Sequence, residues 1–344
     1  MAYTTIKKPS DYFNTKLYTG NGSNGNAITG VGFQPDFVWI KNRDVTYWHQ
    51  LYDAVRGVSA GTLYSNQTGA EDFGSGTLLA SFDSDGFTVN SNDGCNGNGE
   101  NLVSWNWLAS NTTASNTDGS INSTVSANTT SGFSIVSYTG TGSAGTVGHG
   151  LGSAPSVILT KTRSDAEEWF CHWSVLGTGS FVKLSSNVAA GTNATAFPWN
   201  PQTDTFGLSS DGATNTNGRT YIAYCFAEKK GFSKFGSYVG NGNADGTFVY
   251  TGFKPAFVMI KVSSTLNDWS MYDNKRDTIN QVDNYLQSNT SSIEVSDTGK
   301  GTDFLSNGFK LRTTHGTHNT SGETYIYMAF AEEPLVGDNP ATAR

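Results

Sequence analysis

The chain has 344 residues, a formal net charge of −8 at pH 7 and 15% charged residues. A surface for nucleic acid would have to form locally against this negative charge, so nucleic acid is not an expected partner. No run of about 18 apolar residues indicates a membrane-spanning helix, and the first residues lack the apolar stretch of a secretory signal, so we expect synthesis in the cytoplasm and no membrane insertion.

In chain order, three segments begin in nearly the same way, with Tyr18-Thr-Gly-Asn-Gly, Tyr138-Thr-Gly-Thr-Gly and Tyr238-Val-Gly-Asn-Gly. A proline and a lysine follow in register in each segment: Pro35 and Lys41, Pro155 and Lys161, Pro255 and Lys261. The prolines are 120 and 100 positions apart, so the first interval contains about twenty extra residues. Repetition on this scale predicts a repeated structural unit.

The extra residues coincide with a stretch rich in Ser, Thr and Asn, residues 110–131. A stretch of this composition buries little apolar surface, so we interpret it as an extended linker. The predicted domains are therefore repeat 1 at 1–109, the linker at 110–131, repeat 2 at 132–230, and repeat 3 at 231–344 with a short C-terminal tail. The longer first linker predicts that repeats 2 and 3 pack as a pair and that repeat 1 is more independent.

Each segment closes with a similar run, residues 99–107, 218–226 and 322–330. Large apolar side chains alternate there, as Val103, Trp105 and Trp107 do, which is the period of a strand with one packed face. Asp-Gly and Asn-Gly turns recur at matched places and favour hairpins. With 40 glycines and 12% aromatic residues, these patterns predict an all-β fold of three tandem β-sandwich repeats, of jelly-roll type, about 100 residues each.

The sequence contains no convincing catalytic or metal-binding set. His315 and His318 lie in a Gly/Thr-rich loop without a third ligand at a suitable spacing, so we predict no metal and no cofactor. The pairs Asp53 and Arg56, and Asp273 and Arg276, are three residues apart and are interpreted as surface ion pairs that brace a turn. No matched carboxylate pair occurs across the repeats, so we expect the protein not to be an enzyme.

The three cysteines, Cys95, Cys171 and Cys225, do not recur at matched positions in the repeats. A disulfide framework would need paired cysteines, so we predict free thiols.

A tryptophan follows the repeated lysine in each segment: Trp48 after seven residues, Trp169 and Trp269 after eight. A recurring tryptophan is typical of a buried core, because an indole supplies a large apolar area at one position. The alternative is that these three indoles are exposed platforms on which sugar rings stack, with polar loops nearby to bind the hydroxyls. The sequence leaves both interpretations open, so the three residues are the candidate glycan-binding residues.

Most of the chain resembles a known family. Residues 7–23, 28–43, 51–57 and 81–87 resemble the uncharacterised repeat domain of marine bacteriophage virion proteins, and residues 116–128 and 132–140 resemble its usual inter-repeat segment. The resemblance implies a lectin-like sandwich, of the concanavalin A-like lectin/glucanase type, on a phage particle. It implies no catalytic residues.

Three hypotheses follow. The first is a non-enzymatic virion structural protein on the particle surface, a tail fibre or head decoration, whose partners are other virion proteins and copies of itself, with a trimer as the expected oligomer. The second is a receptor-binding lectin that recognises host surface glycan and gains avidity from several linked sites. The third, a glycan-cleaving enzyme, is the least favoured. We expect the protein to reside in the virion.

Overall fold

The computed structural model describes residues 3–74 and 76–342. The fold is all-β, with several antiparallel sheets and only short helical turns, and the predicted fold class is confirmed at this level. Residues 1–109, 132–230 and 231–344 are named the first, second and third segments, and residues 110–131 are named the connecting segment. The helical turns are α1 (Asp93–Asn96), α2 (Gly212–Asn215) and the 3₁₀ turns Pro9–Asp11, Ser174–Leu176 and Thr298–Lys300.

The first segment forms two sheets. Its strands are β1 (Phe13–Thr19), β2 (Asn26–Thr29), β3 (Phe37–Asn42), β4 (Gln50–Asp53), β5 (Leu63–Tyr64), β6 (Leu79–Asp83), β7 (Gly86–Val89) and β8 (Asn101–Trp107). One sheet has the order β1-β8-β3-β4-β5 and the other β2-β7-β6.

The connecting segment and the second segment share one large sheet. The strands are β9 (Ala114–Asn116), β10 (Ser123–Asn128), β11 (Phe133–Thr139), β12 (Gly145–Gly148), β13 (Val157–Thr162), β14 (Phe170–Trp173), β15 (Ser180–Lys183), β16 (Gly191–Thr192), β17 (Thr205–Leu208) and β18 (Thr220–Phe226). The large sheet has the order β16-β15-β14-β13-β18-β11-β10-β9, and β12 pairs with β17.

The third segment forms three sheets. Its strands are β19 (Ser233–Val239), β20 (Phe248–Tyr250), β21 (Phe253–Val262), β22 (Ser270–Asp273), β23 (Asn284–Tyr285), β24 (Val295–Ser296), β25 (Thr302–Leu305), β26 (Gly308–Leu311) and β27 (Thr324–Pro334). The sheet orders are β19-β27-β21-β22, β20-β26-β25 and β23-β24.

The central strands are buried on both faces. In β3, Phe37 and Trp39 join a hydrophobic cluster shared by all three segments, whereas Val38 and Ile40 join a cluster formed within the first segment. Successive side chains of a strand point to opposite faces, so a strand covered on both sides needs a continuous apolar run. This explains why the stretch after Pro35 is apolar at every position from Phe37 to Ile40.

The shared cluster, here called the central cluster, joins the ends of the chain to its middle. Phe13 of the first segment stacks on Phe330 of the third at 4.9 Å between ring centroids, and Phe330 lies 5.9 Å from Phe226 of the second. The large apolar face of the closing strands, for example Trp105 and Trp107 in β8, packs into this cluster. The apolar faces that the sequence revealed therefore pack mainly between segments.

The residue eight positions after each repeated lysine has a ring that donates a hydrogen bond to a backbone carbonyl group of another segment. The contacts are Trp169 Nε1 to the Tyr64 carbonyl oxygen (2.9 Å), Trp269 Nε1 to that of Lys183 (3.0 Å) and His49 Nε2 to that of Gln287 (3.0 Å). Every segment thus contacts both of the others. The expectation that the first segment is the more independent one is wrong, because these contacts join it to the second and the third alike.

The connecting segment is not a free linker. Strand β10 pairs along its length with β11, and Ile121 and Val125 are buried in the core of the second segment. The carboxylate of Asp36 accepts hydrogen bonds from the backbone N–H groups of Ala109 (2.7 Å) and Asn111 (3.1 Å), which fixes the start of the segment. Two buried apolar side chains, the contacts of Asp36 and the backbone hydrogen bonds of β10 to β11 and β9 order this polar sequence.

The two predicted ion pairs form, but they are buried rather than on the surface. Arg56 Nε lies 2.5 Å from Asp53 Oδ2, and Arg276 Nε lies 2.6 Å from Asp273 Oδ2, with all four side chains nearly inaccessible. Each aspartate also accepts a hydrogen bond from another segment. The donors are Tyr224 OH to Asp53 (2.8 Å) and Trp105 Nε1 to Asp273 (3.1 Å). The additional donors satisfy the buried carboxylates, as burial of a charge requires.

The three cysteines are buried free thiols, which confirms the prediction. Among the described residues no helix is long and apolar enough to cross a membrane.

Candidate functional site

Trp48 is the exposed indole of this protein. All eight tryptophans lie in described residues, and Trp48 is 46% exposed whereas the other seven are at most 2% exposed. It precedes β4 and packs edge-on against Tyr64 of β5, with 4.9 Å between ring centroids and a 65° angle between the rings. This contact supports the indole from one side, while nearly half of the surface of Trp48 stays exposed to solvent.

A cleft of about 390 Å³ opens beside Trp48. The volume lies in the range of small-molecule sites. Most lining residues come from the first segment, and one, Ser291, comes from the third. They are Thr46, Tyr47, Trp48, Gln50, Tyr64, Asp72, Asn92 and Ser291.

The amide groups in the cleft are held in fixed orientations. Gln50 Nε2 donates to Asn92 Oδ1 (3.0 Å), and Gln50 Oε1 accepts from Tyr52 OH (2.6 Å). Asn92 is also the residue that caps α1, since its Oδ1 accepts from the backbone N–H of Gly94 (2.9 Å). The Oδ1 of Asn92 therefore already accepts two hydrogen bonds within the protein, and the amide nitrogen of Asn92 can donate to a ligand.

The phenol groups at the cleft are paired with carboxylates. Tyr64 OH donates to Asp72 Oδ2 and Tyr47 OH donates to Asp93 Oδ2, both at 2.9 Å. Burial, followed by the bond to Asp72, raises the pKa of Tyr64, and the bond to Asp93 is the main cause that raises the pKa of Tyr47. Both phenols therefore keep their protons at neutral pH, so that each acts as a donor.

The other two candidate tryptophans are in the core. Trp169 and Trp269 have no exposed surface, and both belong to the central cluster. Neither indole offers a face to a sugar ring, so the structure removes these two from the glycan-binding candidates. The first interpretation, a recurring tryptophan buried in the core, describes them.

A one-residue offset separates Trp48 from the other two. The position equivalent to Trp169 and Trp269 is occupied in the first segment by His49. The ring of His49 is buried and contacts the carbonyl oxygen of Gln287, just as the two indoles contact carbonyl oxygens of other segments. Neighbouring residues of an extended chain point to opposite sides, so a shift of one residue turns the indole from the core to the surface. The count of seven residues after the lysine, against eight in the other segments, was the sequence signal for this difference.

The second segment has a cleft at the matching place, with different chemistry. Its volume is about 470 Å³, and its walls include Phe170, Lys183, Asp211 and Arg219. Phe170 lies at the position that Gln50 has in the first segment. Asp211 caps α2 as Asn92 caps α1. The two clefts share a position in the fold and have different linings.

The residues considered for metal binding do not form a site. Among residues 3–74 and 76–342 no group of three or more His, Cys, Asp or Glu side chains is placed to hold a metal ion. His318 is buried, with Nε2 at 3.0 Å from Tyr272 OH, and burial lowers its pKa to about 3. Its ring is therefore neutral and acts in packing and hydrogen bonding.

Sequence reasoning did not identify Gln50, Tyr64, Asp72, Asn92 or Ser291 as cleft residues. They lie on separate elements, and the serine is almost 200 positions or more from each of the others. Among the cleft residues, only Trp48 was a candidate from the sequence.

The described residues define an all-β protein with one exposed indole in a polar, aromatic-lined cleft. The chain belongs to a family described as a domain of unknown function, DUF7483, whose profile spans residues 8–334. No curated protein and no solved structure matches the chain.

Proposed function

We propose that the protein is a non-enzymatic structural protein of a bacteriophage particle, exposed on its surface. The proposal rests on the resemblance of residues 7–23, 28–43, 51–57 and 81–87 to virion repeat domains. A chain whose segments pack on one central cluster is also suited to a structural part, because it buries its large apolar faces within itself. Its partners would be other virion proteins and copies of itself.

The proposal includes three tandem sandwich repeats. Matched tyrosines support it, because each opening tyrosine donates a 2.7 Å hydrogen bond to the carbonyl oxygen that precedes a buried asparagine. The pairs are Tyr18 to Cys95, Tyr138 to Thr214 and Tyr238 to His318. If the segments are repeats, Tyr→Phe at each position costs a similar free energy of unfolding, about 1 kcal/mol. Costs that differ strongly among the three would contradict equivalent repeats.

The location is tested on purified particles of the phage that encodes the chain. We expect mass spectrometry to detect the protein at a fixed copy number, and cryo-electron microscopy to show its sheets on the outside of the head or tail. Its absence from particles that are washed and infectious would overturn the proposal.

A second candidate function, glycan binding, is favoured by one observation: the exposed Trp48 forms part of a cleft that also has oriented amides, phenols and a carboxylate. Sugars are bound by this combination, since C–H faces pack on aromatic rings and hydroxyls exchange hydrogen bonds with fixed polar groups. We expect full-length protein to bind oligosaccharides of the host surface and Trp48→Ala to bind them at least ten times more weakly. Unchanged binding by Trp48→Ala would exclude this cleft.

The same assay tests the absence of enzymatic activity. After incubation with the bound oligosaccharide, we expect its length to be unchanged by mass spectrometry. Shortened products that depend on Trp48 would show that the protein cleaves glycans.

A further inference from the structure

The charged groups at the Trp48 cleft are acidic. Asp72 lines the cleft, and Asp93, which accepts from Tyr47, lies at its margin. Of the described residues that line the cleft, none is a lysine or an arginine. Lys41, on the strand before the Trp48 loop, is fully buried, and its Nζ donates to the carbonyl oxygen of the next residue (2.6 Å), so it offers no charge to a ligand.

The remaining hydrogen-bonding capacity of the cleft fits hydroxyl groups. Among the described residues, the hydroxyls of Thr46 and Ser291 and the amide nitrogen of Asn92 have no protein partner, and they come from separate parts of the cleft wall. The carboxylate of Asp72 accepts from a phenol and from the backbone N–H of Gly74 (2.7 Å) and can accept further bonds. Each group can pair with a sugar hydroxyl, which both donates and accepts.

We propose that the Trp48 cleft selects neutral sugars and rejects sugars that carry a carboxylate or sulfate; this inference rests on the proposed glycan-binding function. A neutral ring stacks on Trp48 while its hydroxyls bind Asp72, Asn92 and Ser291. An acidic sugar would bring a further negative charge next to Asp72 and Asp93, with no cation among the described lining residues to compensate, and burying an unpaired charge is costly. The overall charge of −8 opposes its approach as well.

The second segment shows that this scaffold can place cations at the same position. Its matching cleft contains Lys183 and Arg219, although both have acidic partners, Glu168 at 3.6 Å and Asp165 at 2.7 Å. The lack of a cation in the first cleft is thus a property of its own residues. Introducing one by Thr46→Lys, on an exposed lining residue, should weaken the discrimination.

The test uses full-length protein and paired ligands of equal length: neutral gluco-, galacto- and manno-oligosaccharides, and the same oligosaccharides oxidised at C6 to uronates. By isothermal titration we expect a neutral member to bind at least ten times more tightly than its uronate. Trp48→Ala should bind the neutral oligosaccharide at least ten times more weakly than the wild-type protein does. Phe248→Ala, which removes another exposed aromatic ring outside the cleft, should not change it.

Two results would overturn the inference in different ways. Equal or tighter Trp48-dependent binding of a uronate would overturn selection for neutral sugars and leave the glycan-binding function in place. Failure of every member of both series to bind would overturn the glycan-binding function and the inference with it. Thr46→Lys is the internal check: a smaller preference for the neutral ligand supports the electrostatic explanation, and an unchanged preference contradicts it.

Discussion

The contrast between Trp48 and the seven buried tryptophans gives the candidate site a direct optical signal. A soluble quencher such as acrylamide reaches only exposed indoles, so we expect quenching of the native protein to come from Trp48 alone. In Trp48→Phe the quenchable fraction of tryptophan fluorescence should disappear. A bound oligosaccharide should protect the same fraction in the wild-type protein.

Trp199→Phe is the matched control, since Trp199 is 1% exposed in the core of the second segment. It should lower the total fluorescence and leave the quenchable part unchanged. Substantial quenching in Trp48→Phe at native conditions would mean that another indole is accessible, contrary to the burial of the other seven.

The repeated lysines predict an unusual dependence of stability on pH. Burial lowers the pKa of Lys41, Lys161 and Lys261 to about 8. In the unfolded chain a lysine titrates near a pKa of about 10.4, so between about pH 8 and pH 10 each of these lysines binds more protons in the unfolded state than in the folded state, and its contribution to stability rises with pH. We expect this contribution to rise by about 1–2 kcal/mol for each lysine over this range. The three buried cysteines act in the opposite sense, because burial raises the pKa of their thiols above the usual value of about 8.5, so that only the unfolded state loses these protons as pH rises.

Chemical denaturation of the wild-type protein and of Lys161→Met at about pH 7.5 and about pH 9.5 separates the contribution of one lysine from that of the thiols, which both proteins share. Lys161→Met should be less stable at both values, because the carbonyl oxygens of Thr68 and Thr162 lose their donor. Its change in the free energy of unfolding from the lower to the higher pH should be less positive than that of the wild-type protein by about 1–2 kcal/mol. An identical change in the two proteins would show that Lys161 is protonated alike in both states.

At the scale of strands, the sequence was most informative where side chains alternate. The closing strands β8, β18 and β27 were predicted from their period of two, because their large residues face one side. The connecting segment was missed, because β10 has few apolar residues and depends on the hydrogen bonds of its neighbour β11. Which strand β10 pairs with is a property of the tertiary structure, and the composition of a segment does not reveal it.

The same limit applies to the ion pairs and the cleft. A spacing of three residues predicted the contact between Asp53 and Arg56, but their burial depends on Tyr224, far away in the chain. Likewise Trp48 was predicted as a candidate from its recurrence, while Ser291 enters the cleft only through the contacts between segments.

The ordered connecting segment changes what is expected of proteolysis and exchange. The backbone amides of β10 should be protected from hydrogen exchange, and residues 123–128 should resist protease in the native protein. Val125→Asp places a charge in the core of the second segment and should release this strand first. Thr124→Asp, on the exposed face of the same strand, is the matched control and should leave it protected.

Rapid cleavage within residues 123–128 of the wild-type protein would contradict this result. Such cleavage would support the extended linker that the composition of residues 110–131 predicts.

For the whole molecule, the central cluster predicts that the three segments unfold together. Phe330 of the third segment contacts Phe13 and Trp107 of the first and Phe226 of the second, with ring centroids 4.9, 5.6 and 5.9 Å away. Removing this ring leaves a cavity lined by all three segments. Phe330→Ala should therefore lower the free energy of unfolding by about 3–5 kcal/mol.

Calorimetry of Phe330→Ala should still show a single transition. Strands β1 and β18 should lose as much hydrogen-exchange protection as β27 does, because in one cooperative unit a local loss of stability lowers the protection of every strand. The control is Ile279→Ala in the third segment, where the side chain is 74% exposed and the stability should not change. If Phe330→Ala instead melted the third segment alone, in a separate transition, the segments would be independent domains in contact. The central cluster would then be an interface between them and not the core of one folding unit.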